Sequence, residues 1–400
     1  MKILHTADWH LGRKTDDLDR SDEIKDALGQ LVKIANDEKV DMVLIAGDIY
    51  DSLVPSADAE NLFFNTISEL SCGGNRAVVA IAGNHDDPRR LSNASLFTSN
   101  FNIYLVGYYD EIKINNELTD KNIYPTECGK GYIKFKTKNG EEVVVVTLPY
   151  PSFYRYKETK KEGEDLKDKI KQWLSEGVSK FGKKSVNLLT AHILSYGENM
   201  NDEQREEYSH EINGIFPFIE KECLNYGATY VALGHLHQDI CVSKENNIHY
   251  SGSLIHTHFS AKKLSNKSVN IVNLDKSGVK DIKKVEINTK ELYQVNAPSL
   301  KEIEEFCLAH TNDYIKGVIT SSVGVGYDEI KELRKKCPNL VTLSVLSNEM
   351  KFSQSFESKK DLTTGEIFDN FVKKRTGQLP DKEVKELFLE LMGENVYEAD

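Results

Sequence analysis

Five short apolar runs of this chain each end in a motif that carries metal-type ligands, and this pattern limits the possible folds more than any other feature. The motifs are Asp8-Trp9-His10, Gly47-Asp48, Gly83-Asn84-His85-Asp86, Ala191-His192 and Gly234-His235-Leu236-His237. Each follows a stretch that is typical of a buried strand. Ligands in an open α/β sheet bind beyond the carboxyl ends of the strands, so the five motifs are expected to converge on one edge of a sheet.

The side chains at these strand ends predict a centre for two metal ions. Seven are candidate ligands: Asp8, His10, Asp48, Asn84, His192, His235 and His237. Carboxylate, amide oxygen and imidazole suit Mn²⁺, Fe²⁺, Zn²⁺ or Mg²⁺, and the lack of thiolate ligands argues against a structural zinc site. Seven ligands are more than one ion needs, whereas two ions about 3.5–4 Å apart can hold both reacting oxygens of a phosphoryl displacement. Asp48 is the natural bridging carboxylate.

Each motif alone also has an ordinary structural interpretation. Gly83-Asn84-His85-Asp86 could form a tight turn, because Asn and Asp tolerate turn conformations. A single Asp-x-His or Gly-Asp is common where a strand meets a loop. The joint occurrence of all five motifs, in order and each at a strand end, favours the metal centre.

In this order the motifs resemble the calcineurin-type metallophosphoesterase superfamily. The opening segment from Ile3 to Gly12 further resembles the family of SbcD nuclease subunits, which process DNA double-strand ends in bacteria. The resemblance covers about the first 275 residues through its motifs and extends more weakly to the carboxyl end. It implies a four-layer αββα sandwich of two mixed sheets flanked by helices. It also implies a Mn²⁺-dependent DNase that works with an ATPase partner of the SbcC type.

The resemblance further implies a role for each site residue. One metal ion would take Asp8, His10 and His237, the other would take Asn84, His192 and His235, and Asp48 would bridge them. A metal-activated water would be the nucleophile. His85 would contact the scissile phosphate and aid departure of the leaving oxygen, and Asp86 would orient His85 by accepting its second ring proton. Asp51 departs from archaeal and eukaryotic relatives, which carry His there, so it is assigned no catalytic function.

The formal net charge of −12 is unusual for a DNA-binding chain, because such proteins gain affinity by neutralising phosphates. Two divalent ions would add local positive charge at the site. Four basic residues beside the motifs are candidates for phosphate contacts, although an ordinary solvated surface explains them nearly as well: Arg13, Lys14, Arg89 and Arg90. We therefore expect the chain alone to bind DNA weakly and a partner to supply much of the affinity.

The sequence predicts four regions. Residues 1–278 would form the nuclease domain, and residues 285–347, with a strand-helix-strand-helix-strand pattern, a small α+β unit. By resemblance this unit is a capping domain that positions DNA, although a purely stabilising subdomain is an open alternative. Residues 348–362 would be a linker, and residues 363–393 a helix-loop-helix.

The carboxyl-terminal helix pair has too few apolar residues for a core of its own. Its apolar positions are Ile367, Phe368, Phe371, Val384, Leu387, Phe388 and Leu391. Such a pair is expected to dock on another protein, by resemblance the coiled coil of the ATPase subunit. The alternative is that the helices pack back on their own chain.

Other functions and the setting of the protein are also constrained. The chain has no Gly-x-x-x-x-Gly-Lys-Ser/Thr loop, so ATP would be bound by the partner. A phosphoesterase for small molecules or phosphoproteins and a non-catalytic scaffold are the alternative functions.

The sequence predicts a cytoplasmic protein with reduced thiols, because it shows no signal segment or long apolar run and its cysteines are scattered. A homodimer within a heterotetramer is expected by resemblance, and the acidic segment 198–211 is assigned no role.

Overall fold

The computed structural model describes residues 1–114, 116–152, 165–195, 218–224, 226–321 and 325–347, together with single positions between 365 and 388. Met1–Leu346 forms one compact unit and Ser347–Asp400 a second. The predicted acidic segment 198–211 lies outside the described residues. In the described part of the chain, no helix has the length and apolar character that crossing a membrane would need.

The first unit alternates strands and helices along the chain. The strands are β1 (Lys2–Thr6), β2 (Lys14–Thr15), β3 (Leu18–Asp19), β4 (Met42–Ile45), β5 (Ala77–Ile81), β6 (Ile103–Val106), β7 (Ile123–Gly129), β8 (Tyr132–Thr137), β9 (Glu142–Leu148), β10 (Val186–His192), β11 (Tyr230–Gly234), β12 (Ile240–Ser243), β13 (Ile248–Tyr250), β14 (Lys267–Asp275), β15 (Gly278–Ile287), β16 (Leu292–Ala297), β17 (Tyr314–Ser321) and β18 (Leu340–Ser347). The α-helices are α1 (Ser21–Asp37), α2 (Ala57–Ser71), α3 (Pro88–Thr98), α4 (Leu166–Val178), α5 (Leu300–Ala309) and α6 (Tyr327–Lys336).

Two large sheets form the centre of this unit. The first has six strands in the order β15-β14-β1-β4-β5-β6, and the second has seven in the order β12-β13-β11-β10-β9-β8-β7. In the first sheet β1, β4, β5 and β6 are parallel, while β14 and β15 are added antiparallel. In the second sheet β9, β10 and β11 are parallel neighbours. The carboxyl ends of the motif-bearing strands within each sheet therefore point the same way.

Alternation along the strands builds three apolar layers. Ile3 packs into the layer between the two sheets, whereas the next residue, Leu4, packs into the layer beneath the helices. Successive strand residues face opposite sides of a sheet, so one strand serves both layers. On α1, Ile24 and Leu28 lie on the buried face of the helix, and on α4 Trp173 packs in the layer that covers the second sheet. The predicted αββα sandwich is confirmed.

Local signals in the sequence also explain individual elements. Ser56 caps α2, because its hydroxyl accepts a hydrogen bond from Ala59 N at 3.2 Å. A hairpin around Gly140, whose φ is +84°, joins β8 and β9. The segment Asp275–Gly278 is a hairpin turn in which Ser277 N donates to Asp275. The first sheet therefore continues through β15 to Ile287, beyond the predicted boundary at 278.

Residues 292–347 form a small three-stranded sheet, β16-β17-β18, covered by α5 and α6. Its core includes Ile303, Ile315, Ile319 and Leu333. The order strand, helix, strand, helix, strand agrees with the pattern read from the sequence. Its role as a capping domain stays a prediction.

The second unit is described at few positions. The described helical residues fall within the two predicted helices, and the rings of Phe368 and Phe388 stack with centroids 4.0 Å apart. Phe371 and Val384 are exposed. The other three apolar positions named for partner binding, Ile367, Leu387 and Leu391, lie outside the described residues. The two aromatic rings at 368 and 388 therefore contact each other, and docking on a partner stays a prediction.

Candidate metal centre

The segments that follow β1 and β4 run side by side and hold their ligands on a strained backbone. Asp8 N donates to Gly47 O at 2.9 Å, and His10 N donates to Asp48 O at 3.0 Å. Asp8, His10 and Asp48 have φ values of 54°, 47° and 49°, and His235 has 109°. Residues other than glycine rarely adopt positive φ, and such strain clusters at functional sites. The backbone is therefore held in unfavourable conformations that aim these four side chains.

Two glycines of the motifs are required by the close approach of other groups, and Gly47 also by its positive φ. A Cβ on Gly47, where φ is +94°, would lie 2.2 Å from His192 Nδ1. A Cβ on Gly83 would lie 2.1 Å from Asp48 Oδ1. Since no side chain fits at either place, glycine lets the loops after β4 and β5 close around the ligands.

The first ligand cluster comprises Asp8, His10 and His237. Their ligand atoms all lie within 4.8 Å of one another. The Nε2 atoms of His10 and His237 are only 2.9 Å apart. Burial, the largest cause, lowers the pKa of His10, and it holds the pKa of His237 well below its usual value together with the nearby positive charge of Lys267. Both rings are therefore neutral, and two converging imidazole lone pairs fit a divalent cation.

The second ligand cluster comprises Asp48, His192 and His235, with Asn84 beside them. Asn84 Oδ1 lies 2.9 Å from His192 Nε2 and 3.1 Å from His235 Nδ1. His192 Nδ1 lies 2.7 Å from Ala46 O, and because a carbonyl only accepts, the ring donates there and presents Nε2 to the cluster. The Asn84 oxygen, His192 Nε2 and His235 Nδ1 thus converge, and with both nitrogens unprotonated these three atoms can ligate a cation.

Asp48 lies between the two clusters. Its Oδ2 is 3.4 Å from His192 Nε2 and 3.8 Å from His10 Nε2, while Oδ1 accepts a hydrogen bond from His85 N at 2.9 Å. Burial alone would raise the pKa of Asp48, but the neighbouring imidazoles, His192 above all, hold it well below its usual value. Burial lowers the pKa of His192, but Asp48 outweighs burial and raises it to about 9. A buried carboxylate is thus kept ionised within reach of both clusters, the arrangement that a bridging ligand requires.

Asp86 does not contact the His85 ring in the way predicted. The buried Asp86 carboxylate accepts hydrogen bonds from Gly83 N at 2.8 Å, Tyr50 N at 2.9 Å and Ile49 N at 3.1 Å. His85 Nδ1 instead lies 3.0 Å from the backbone oxygen of Asp51. The orienting role assigned to Asp86 was therefore wrong, because three backbone N–H groups occupy its oxygens. Asp86 ties the loop after β4 to the loop after β5.

The four candidate phosphate contacts have different surroundings. Arg13 is 21% exposed and donates to Asp51 Oδ1 at 2.9 Å. Arg90 pairs with Glu60 of α2 at 2.6 Å. Lys14 and Arg89 are exposed, and Arg89 has only a long contact of 3.9 Å to Asp87. Lys14 and Arg89 are therefore better placed than the other two to meet a phosphate.

Two residues that received no role from the sequence lie beside the first cluster. Asp51 Oδ1 lies 3.2 Å from His10 Nδ1, and Thr257 Oγ1 lies 3.2 Å from His237 Nδ1. Asp51 was recognised as a departure from archaeal and eukaryotic relatives, but its contact with His10 was not predicted. Thr257 follows the last motif by 20 residues, and no sequence signal links it to the site.

Comparisons with known proteins show the family to which the chain belongs. The calcineurin-like phosphoesterase family matches residues 1–239. A Bacillus subtilis (strain 168) protein, named as the SbcD subunit of the SbcCD nuclease, is 33% identical over 98% of this chain and 97% of its own length. A protein of the same name from Staphylococcus epidermidis is 25% identical over 94% of each chain. Among solved structures, a dimetal phosphatase from Danio rerio matches with a TM-score of 0.39 and 14% identity, over 72% of this chain and 99% of that one.

Proposed function

Because this chain belongs to the calcineurin-like phosphoesterase family, and within it to the SbcD nuclease subunits, we propose that it cuts DNA double-strand ends. It is a metal-dependent nuclease subunit. The proposed activities are exonuclease action on duplex ends and endonuclease action on single strands and hairpins, in recombination, repair and replication. The observation that carries the proposal is the buried Asp48 carboxylate, which lies within reach of ligand atoms of both clusters.

We assign the cofactor as two divalent ions, which we propose to be Mn²⁺. One would be held by Asp8, His10 and His237, the other by Asn84, His192 and His235, with Asp48 between them. When bound, such ions supply the positive charge and the activated water that attack on a phosphodiester needs. The chain itself supplies the ligand geometry and a buried, preorganised environment for them.

His85 is the proposed catalytic residue that meets the substrate. Its backbone N is fixed by Asp48 Oδ1 at 2.9 Å, and its Nδ1 lies 3.0 Å from Asp51 O. The ring is half-buried, with its centroid 4.9 Å from that of His10. Because Nδ1 donates to a carbonyl, Nε2 is the nitrogen left to meet the scissile phosphate, and in the doubly protonated form of the ring it would donate its proton to the leaving oxygen. Lys14 and Arg89 are the proposed phosphate contacts beside it.

The relatives are named as parts of a complex, so we propose that this chain works with an ABC-type ATPase partner of the SbcC kind. Residues 363–393 are the proposed docking element, and residues 285–347 the unit that positions DNA. The exposed side chain of Val384 supports docking, because an apolar side chain exposed on a short helix pair is expected to be covered by a partner. Variants with Val384→Asp are expected to lose binding to the ATPase coiled coil while keeping the nuclease fold.

We further propose a homodimer within a heterotetramer, through the outer surface of α2 and α3. The pair Arg90–Glu60 joins these helices, and the apolar side chains of Leu96 and Phe97 on α3 are exposed by 55% and 74%. An exposed apolar patch on paired helices is typical of a protein interface. Phe97→Asp is expected to convert a dimer to a monomer in analytical ultracentrifugation, and an unchanged mass would argue against this surface.

The direct test is cleavage of end-labelled linear duplex DNA with Mn²⁺ by the wild-type chain and by His85→Ala. We expect degradation by the wild type, a loss of about 10²-fold or more in the variant, and no degradation with chelator. His249→Phe is the matched control, because His249 lies in the second sheet outside both clusters. No cleavage even with the ATPase partner, alongside turnover of a small phosphodiester, would instead support the small-molecule phosphoesterase.

A further inference from the structure

In both histidines of the first ligand cluster, the ring nitrogen Nδ1, which faces away from the cluster, lies close to an oxygen of another side chain. His10 Nδ1 lies 3.2 Å from Asp51 Oδ1, and His237 Nδ1 lies 3.2 Å from Thr257 Oγ1. The other ring nitrogens, Nε2 of His10 and His237, face each other at 2.9 Å. A contact at Nδ1 fixes the tilt of an imidazole and decides which nitrogen presents its lone pair. Asp51 and Thr257 are therefore in position to orient the two rings.

Arg13 connects these two supports. Its Nη1 donates to Asp51 Oδ1 at 2.9 Å, and its Nη2 donates to Thr257 O at 3.4 Å. The planar fork of a guanidinium can reach two acceptors at a fixed spacing, which an ammonium cannot do. Arg13, Asp51 and Thr257 thus form a continuous bridge from His10 to His237, which we call the Arg13 bridge.

The loop that carries Thr257 is anchored on its far side. Buried Arg20 donates from Nη1 to His256 O at 2.9 Å and also pairs with Glu23. Ser260 N donates to Leu292 O at 2.9 Å, and Gln294 N donates to Ser260 O at 2.8 Å. The last two bonds attach the loop to β16 of the small α+β unit. Thr257 therefore sits on a segment shared by the metal centre and that unit.

The second ligand cluster has a different kind of support. His192 Nδ1 lies 2.7 Å from the backbone oxygen of Ala46, directly beyond β4. A backbone carbonyl cannot be removed by substitution, and Ala46 is further held where its N donates to Thr6 O at 2.9 Å. A change in the Arg13 bridge should thus affect one cluster and leave the other unchanged.

We propose that Arg13, Asp51 and Thr257 are positioning residues that set the metal affinity of the first cluster, and that Arg13 has this role instead of contacting DNA phosphate. The inference rests on the two-ion centre proposed above. Losing a group that orients a ligand histidine typically costs 10–100-fold in metal affinity. The bridge also gives β16 a physical connection to one ion site through Ser260 and Thr257.

The experiment is a calorimetric titration of the metal-stripped full-length chain with Mn²⁺. We expect two equivalents in the wild type, and in Thr257→Val one site weakened by about 10–100-fold with the other unchanged. Val keeps the shape of Thr but cannot hydrogen-bond, and Thr257→Ser should restore the affinity. Arg13→Lys, which keeps the charge but loses the fork, should weaken the same site.

Lys33→Gln is the matched control, because Lys33 is an exposed cation on α1 that pairs with Asp37 and belongs to neither cluster; both affinities should stay at the wild-type level. Wild-type affinities at both sites in Thr257→Val and Arg13→Lys, or equal weakening of the two sites, would overturn the bridge proposal alone. If Arg13→Gln instead kept metal affinity but lowered the salt slope of DNA binding by about one, Arg13 would be a phosphate contact. No Mn²⁺ binding by the wild type would overturn the proposed metal centre itself.

Discussion

The two ligand clusters on either side of Asp48 use similar side chains but are supported in different ways. In the first, His10 and His237 are backed by Asp51 and Thr257, two side chains in loops. In the second, His192 is backed by the Ala46 carbonyl at the end of a central strand. Two sites with similar ligands can therefore differ in stiffness. Packing between loops orients the histidines of the first cluster, whereas a backbone carbonyl at a strand end orients His192 of the second.

This difference has a functional consequence. Buried strands with paired neighbours open rarely, whereas loops respond to whatever contacts them. The loop that bears Thr257 contacts β16 through Ser260. If the small α+β unit shifts when a partner binds, the first cluster is the half of the centre that would respond. The second cluster would keep its geometry throughout.

The largest predicted effect comes from Asp48→Asn, which affects both clusters at once. The amide keeps the shape but loses the charge that lies 3.4 Å from His192 Nε2 and 3.8 Å from His10 Nε2. We expect Mn²⁺-dependent cleavage to fall by about 10³-fold. Gel assays of single-turnover cleavage measure this loss. Activity within tenfold of wild type would mean that the clusters do not share this carboxylate.

Gly47→Ala is predicted to damage mainly the second cluster. The new Cβ would lie 2.2 Å from His192 Nδ1, so the imidazole must leave the Ala46 carbonyl. Gly140→Ala is the matched control, because it has a similar φ of +84° and open space around the Cβ. Urea unfolding should show a loss of about 1 kcal/mol for Gly140→Ala from backbone strain alone, and a clearly larger loss for Gly47→Ala. Equal losses would show that close packing against His192 is unimportant.

The smallest predicted effect concerns His249, which is buried but belongs to neither cluster. Its titration therefore reports the effect of burial without any ligand role. Burial lowers the pKa of His249 to about 4. The pKa of this histidine is about 4 in the folded chain and about 6.5 in the unfolded chain. As the pH falls from 6.5 towards 4, the unfolded chain binds a proton that the folded chain does not, and the free energy of unfolding decreases. Between pH 7 and pH 5 this group should cost the wild type about 2 kcal/mol.

The test is His249→Phe, which keeps a ring against Tyr230 and removes the titration. Urea unfolding at pH 7 and pH 5 should show a smaller acid loss in the variant by about that amount. Mn²⁺ stoichiometry should stay the same as in the wild type. An identical acid loss in both chains would show that His249 does not titrate as a buried neutral group.

The sequence allowed much of the fold and the membership of the clusters to be predicted. The apolar runs before the five motifs predicted buried strands, and in β1 the neighbouring residues Ile3 and Leu4 pack into two different covered layers. The ligand motifs were recognisable because each is local, with its residues beside a strand end. Strand ends that meet at one edge then bring distant motifs together, as with Asn84 and His192.

Contacts between loops could not be predicted in this way. Asp86 was assigned to His85, its sequence neighbour, but three backbone N–H groups of two loops bind its carboxylate. Thr257 reaches His237 only through the path of an irregular loop. Such pairings depend on tertiary geometry, which neither periodicity nor spacing encodes.

The central claim is that two ions share Asp48, and electron paramagnetic resonance of the chain loaded with Mn²⁺ tests it most directly. Ions about 3.5–4 Å apart that share a carboxylate are exchange-coupled. We expect a coupled di-manganese spectrum that reaches full intensity at two equivalents of Mn²⁺ and is lost in Asp48→Asn. Two independent six-line signals in the wild type, with no coupling, would contradict it.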